Sequence, residues 1–197
     1  MTLTTSPSTI LAKWTVDDYH KMIAAGILRD RPVELLSDRP VELLNGAIVE
    51  RSPVGKPHAH LSSDAADYLR DKLRGQAKIR EGKPIPLPNA SEPEPDIAIV
   101  QALGDVYLDH HPYVDNIFWV IEYSDASLEK DLNIRTQTYA QAGILKYWVI
   151  NLRTMELIVY RQPGEGTYLA YQTLTSGTVV PVSFPDITIV VNRLLRR

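Results

Sequence analysis

The sequence has no cysteine, which excludes disulfides, thiolate metal sites and cysteine nucleophiles and fits a reducing compartment. It has no apolar run near the roughly 18 residues that a membrane-crossing helix needs, and Met1 to Ile10 lacks the cationic start and apolar stretch of a signal peptide. Strong charge of either sign is missing too: the formal net charge is −3, so the whole chain carries no polycationic signature of phosphate binding. The expectation is a soluble, cytoplasmic protein without a membrane anchor. At 197 residues and 44% hydrophobic, the chain is long enough to bury one substantial core, and one domain over 1–197 is expected, with 1–12 as a flexible N-terminus.

What is present begins with an electrostatic anomaly. The most apolar strand, Ile117 to Ile121, closes on Glu122, and the apolar run Ile97 to Val100 opens on Asp96. An ionised carboxylate taken out of water needs a cation, a metal or a proton. Since one acid starts its strand and the other ends its strand, antiparallel pairing would bring both to the same edge of a sheet, the geometry of a divalent-cation site.

Thr15 to Asp18 reads as a capping box opening a helix over about 15–25, stopped at Gly26. Residues 30–37 (DRPVELLS) recur as 38–45 (DRPVELLN), a local duplication of even length that preserves the facing of later strand residues. Asn45-Gly46 signals a type I′ hairpin into Ala47–Glu50. A helical stripe covers 58–74, a short strand 77–80, and five prolines from Pro84 to Pro95 keep that stretch outside the central ladder. Beyond the strands 96–100 and 117–123, the spacing predicts a helix over 131–142 and strands at 146–151, 155–161, 167–173 and 187–191, with turns at Pro163-Gly164 and Ser176-Gly177. The order describes a mixed α/β (α+β) domain with an N-terminal helix and hairpin and a β-rich C-terminal part, not a regular βαβ array. Trp119, Tyr147 and Trp148 read as core rather than as a base-stacking platform, and the basic stretch 70–83 as a solvated face or a contact for an acidic partner. The long connection 101–116, with His110 and His111, points to a functional or interface role.

Three stretches together carry a family likeness: EPEPDIAIV at 92–100, VIEYSDAS at 120–127 and YAQAGILKYWV at 139–149, with VELLNG at 41–46, Ser52-Pro53 and His58 upstream. The sequence resembles the Uma2 family (DUF820), within the PD-(D/E)XK restriction-endonuclease-like superfamily. The resemblance implies a mixed central sheet flanked by helices, Mg²⁺ or Mn²⁺ held by Asp96 and Glu122, and a nucleic-acid substrate, in first place DNA, cut by a homodimer. It implies Arg135 as the third catalytic residue, with His58, Ser124 and Lys130 in support.

The third motif of the superfamily would place a lysine at position 124, where this chain has Ser124, and the matching cation on the following helix is Arg135. Arginine meets a phosphate but does not trade a proton with an attacking water, and it can equally form a plain salt bridge to Glu122. Lys130 lies about one turn upstream. The expected function is a metal-dependent endonuclease impaired by the lysine-to-arginine replacement. The alternative is a catalytically inactive homodimeric module that keeps the fold and binds nucleic acid or protein. Glu42, repeated in Glu34, is expected to face solvent or a basic partner.

Overall fold

The structure, a computed structural model, describes residues 12–28, 41–125 and 127–196. The first helix, α1 (Val16–Ala24), opens on the expected capping box, in which the Thr15 side chain and the Asp18 backbone and carboxylate bond reciprocally. Strands β1 (Val41–Leu44) and β2 (Ala47–Glu50) form an antiparallel hairpin with Leu44 opposite Ala47. Its two-residue loop has Asn45 and Gly46 at φ 50° and 78°, the left-handed pair that a type I′ turn requires. The first copy of the duplicated segment and most of the stretch before the hairpin lie outside the described residues.

The main sheet has six strands in the order β3-β4-β5-β6-β7-β8: β3 (Lys78–Glu81), β4 (Ile97–Val100), β5 (Ile117–Ser124), β6 (Lys146–Asn151), β7 (Glu156–Gly164) and β8 (Thr167–Leu174). Neighbours are antiparallel except β5 and β6, which are parallel because a helical crossover joins them. Both faces are covered, so the central strands are apolar on both sides rather than alternating. On one face Ile97, Ile99, Trp119, Ile121, Tyr123 and Trp148 pack with Leu69 of α2 (Lys56–Lys72), Leu73 at its C-cap, and Leu194 and Leu195. On the other, Ala98, Val100, Val120, Tyr147 and Val149 pack with Tyr139, Ala140 and Ile144. Each fully buried side chain of this size contributes roughly 1.5–3 kcal/mol. Trp119 and Trp148 have ring centroids 5.3 Å apart inside the first cluster, as core packing requires.

Several boundaries differ from the sequence expectation. The crossover helix begins earlier than residue 131: α4 (Leu128–Lys130) runs into a π-helical stretch Asp131–Arg135 and α5 (Thr136–Gln141), while a short α3 (Val106–Asp109) lies in the connection before β5. Pro163 and Gly164 lie inside β7 instead of forming its turn; the reversal falls at Glu165-Gly166, with φ 50° and 80°. Residues expected as a strand over 187–191 form only β10 (Ile189–Val190), paired with β9 (Thr178–Val179), before turning into α6 (Val191–Leu195). That helix docks its buried Leu194 and Leu195 against the sheet, a tertiary demand that no local period announces. Among the described residues no helix is long and apolar enough to cross a membrane.

Candidate active site

The register of β4 on β5 pairs Ile97 with Ile121, so one step on Asp96 stands opposite Glu122. The two ends interlock: the Asp96 N–H donates to Glu122 Oε2 at 3.3 Å, and the Tyr123 N–H donates to Asp96 Oδ2 at 2.8 Å. Alternation along β5 turns Ile121 and Tyr123 to the α2 face and Glu122 to the α5 face, where it is 3% exposed. His58, in the first turn of α2, brings Nε2 to 3.0 Å from Asp96 Oδ1.

Helix residues at spacing four complete the site. Tyr139 Oη donates to Glu122 Oε1 at 2.9 Å, and Arg135 Nη1 bonds the same oxygen and Tyr139 Oη. Asp131 accepts from Ser124 Oγ at 2.6 Å and Ser127 Oγ at 2.5 Å and faces Arg135 Nε at 3.1 Å. The π turn that carries both residues shifts the backbone ladder, and the Asp131 carbonyl also accepts from Thr136 Oγ1 at 3.0 Å and Tyr147 Oη at 3.1 Å. Such insertions recur at functional sites.

Glu42 comes in from β1 and is fully buried, so the solvent-facing expectation is wrong and the basic-partner expectation right. Arg135 Nη2 bonds both its oxygens, and Lys130 Nζ lies 2.5 Å from Oε1. The hairpin is seated firmly: Glu92 N–H donates to the Leu43 carbonyl at 2.7 Å, Gly46 N–H to Ala90 at 2.8 Å, and the Asn45 amide to Thr138 Oγ1 at 2.9 Å.

The structure therefore brings Asp96, Glu122, His58, Lys130 and Arg135 to one cleft, with Asp131 and Ser127 alongside. Ser124 is buried behind it, bonded to Asp131. Arg135 lines the inner wall of this cleft, but it is only 4% exposed and tied to acids. Asp131 and Tyr139 are the site members that sequence reasoning passed over, and Glu42 is one it read as facing solvent or a basic partner. The spacing Asp131, Arg135, Tyr139 on one helical face is the signal that was there to be read.

Charge decides what this cleft accepts. Glu42, Glu122 and Asp131 pair with the permanent cations Lys130 and Arg135, and Asp96 faces His58, so four ionised carboxylates against two permanent cations leave two negative charges uncompensated. Burial pushes the Glu122 carboxyl well above its usual value; Arg135 pulls it down, and Asp96, Asp131 and Glu42 push it further up. Asp131 is raised as well, again by burial first, against the pull of Arg135 and the two serines. Burial opposes the charge on Arg135, but Glu122, Tyr139, Glu42 and Asp131 outweigh it and the guanidinium stays protonated. A hard divalent cation fits this residue set in charge and in donor type. Among the described residues no three His, Asp or Glu side chains form a ready cage. Mg²⁺ does not need one, since it binds through one or two carboxylates and keeps several waters.

Two of the six basic residues in 70–83 are paired with acids on the surface, Arg70 with Asp67 and Glu81 and Arg74 with Asp71, while Arg80 bonds His111 at 3.0 Å. Exposed pairs of this kind contribute little to stability.

This mixed six-stranded fold has a counterpart among solved structures. The crystal structure of "a putative nuclease belonging to DUF820 from Anabaena variabilis ATCC 29413" matches with a TM-score of 0.67 over 92% of this chain and 97% of that one, at 14% identity, and shares the fold. The chain belongs to the Uma2 family, described as "Putative restriction endonuclease", which matches residues 18–192. No curated protein matches the sequence.

Proposed function

We propose that this protein is a divalent-metal-dependent endonuclease that hydrolyses phosphodiester bonds of nucleic acid, with DNA the first substrate to test. The observation that carries the reading is the interlocked pair of Asp96 and Glu122 at the open end of β4 and β5, with His58 beside Asp96. Asp96 and Glu122 would hold Mg²⁺ or Mn²⁺. The chemistry such a cation supplies is Lewis acidity, which makes a water more acidic and balances charge developing on a phosphodiester.

The protein's own part is orientation. Tyr123 N–H fixes one oxygen of Asp96, while Tyr139 and Arg135 hold Oε1 of Glu122 and leave Oε2 toward Asp96. His58, within reach of Asp96, is placed to hold or pass a proton at the cleft wall. Ser124 and Ser127 keep Asp131 fixed behind the site. The family match from 18 to 192 supports one domain. A homodimer, which would cut two strands, is proposed by analogy and is checked by light scattering. Incubation of plasmid and single-stranded DNA with Mg²⁺ or Mn²⁺ tests the reading: cleavage abolished by EDTA and by Asp96→Asn or Glu122→Gln supports it, and no cleavage overturns it.

One observation favours a second reading, a catalytically inactive nucleic-acid- or protein-binding module on the same fold. The cation matching the catalytic lysine is an arginine whose hydrogen bonds go to the buried Glu42, Glu122 and Tyr139, with Asp131 beside its Nε. Mn²⁺ binding and oligonucleotide binding without cleavage would support that second reading.

A further inference from the structure

Two cations face Glu42, and they differ in what remains free for a ligand. Arg135 is turned inward: Nη1 bonds Glu122 and Tyr139, Nη2 bonds both oxygens of Glu42, and Nε is buried 3.1 Å from Asp131 Oδ1 without a hydrogen bond. Its side chain is 5% exposed. Lys130 is different. Its side chain is 18% exposed and lines the cleft together with Asp96 and Glu122. Of the three donors an ammonium carries, one meets Glu42 Oε1 at 2.5 Å and a second the Glu50 carbonyl at a long 3.3 Å, both acceptors lying on the hairpin.

Charge separates the two cations in the same way. Arg135 is shared by three acids, Glu42, Glu122 and Asp131. Among the described residues Lys130 pairs only with Glu42, both of whose oxygens already accept from Arg135 Nη2. Of the two cations bound to Glu42, Lys130 is the one that reaches solvent, so its ammonium is the charge a ligand in the cleft can meet. A lysine stem is flexible and costs side-chain entropy to hold, so a point charge aimed at a ligand needs an anchor. Glu42 is such an anchor, because the hairpin that carries it is pinned through Leu43, Asn45 and Gly46.

We infer that Lys130, positioned by Glu42, is the side chain that meets a phosphate of the substrate, and that Arg135 is an internal tie. This inference rests on the hydrolase reading and assigns its substrate contact. Glu42 acts through Lys130 and is a positioning residue.

The test is anisotropy of a fluorescein-labelled DNA oligonucleotide, titrated at several salt concentrations with Ca²⁺ present, alongside unfolding midpoints and cleavage in Mg²⁺. Lys130→Ala should weaken binding about fivefold and reduce the salt slope by about 0.7–0.9, the signature of one lost phosphate contact, with the unfolding midpoint nearly unchanged. Lys130→Arg should restore affinity and slope. Glu42→Gln, if it folds, should bind at least as tightly, since the cleft loses a negative charge, yet cleave more slowly, since the lysine is no longer held. A Lys130→Ala protein with wild-type affinity and slope overturns the inference and leaves the hydrolase reading standing. A wild-type protein that neither binds nor cleaves the oligonucleotide overturns both.

Discussion

Arg135 and Glu42 lie 93 residues apart in the chain and meet through two hydrogen bonds, from Nη2 to Oε2 at 2.7 Å and to Oε1 at 3.0 Å. The contact joins the N-terminal hairpin to the crossover helix, and neither partner has appreciable contact with water. A planar guanidinium meets Glu42, Glu122 and Asp131 at once; an ammonium has too few donors and the wrong geometry. Arg135→Lys is therefore expected to lose stability instead of gaining activity. Arg135→Ala should cost about 3–5 kcal/mol, the penalty for stranding buried carboxylates. Urea unfolding checks both, and an unchanged midpoint for Arg135→Ala would show that the tie contributes nothing.

Protons and metal should compete at Glu122. Burial, with Asp96, Asp131 and Glu42 adding to it against Arg135, raises this carboxyl well above the usual 4.5. A native value above the unfolded one means the native state holds the proton longer. The resulting stabilisation is complete below the unfolded value and is lost as pH rises through the native value. Metal-free protein should thus have a higher unfolding midpoint in mild acid than at neutral pH, relative to Glu122→Gln. Mn²⁺ needs the ionised form, so its binding should release protons and tighten as pH rises. Calorimetric titrations in two buffers of different ionisation enthalpy read this directly; identical apparent enthalpies would contradict it.

Gly46 is a backbone requirement. Its φ is +78°, and a Cβ there would come 2.9 Å from Lys13 Cβ and 3.2 Å from the Trp14 carbonyl. Gly46→Ala should destabilise by about 1–2 kcal/mol through strain and displacement of the N-terminal segment. Because the same hairpin carries Glu42, which holds Lys130, cleavage should also slow. Thermal unfolding and a plasmid-cleavage assay on one sample measure both, and a neutral result would mean that the turn tolerates another conformation.

The acid pair was legible because strand ends are marked by composition, and antiparallel pairing of two apolar runs leaves few places for their flanking carboxylates. Asn45-Gly46 and the Thr15 cap were legible because one or two residues determine each. Glu42 was not: a carboxylate in a four-residue strand looks like an exposed one until the other elements close over it. Its burial depends on Ser91, Glu92 and Thr138, residues distant in sequence. The π turn at Asp131–Arg135 was hidden because its sequence, DLNIR, suits an ordinary helix. The turn after β7 was misplaced because Gln162, at φ 59°, lets the strand continue through Pro163 and pair it with Tyr168. Nor do two-residue strands such as β9 and β10 have a period to read.

The most direct test of the central claim is Mn²⁺-dependent nicking of supercoiled plasmid by the wild-type protein and Glu122→Gln in parallel. Loss of a carboxylate that orients the cation should lower the rate by at least about a hundredfold, with EDTA stopping the wild type entirely. Plasmid left intact by the wild type, or nicked equally fast by Glu122→Gln, would contradict the assignment of Asp96 and Glu122 as a hydrolytic metal site.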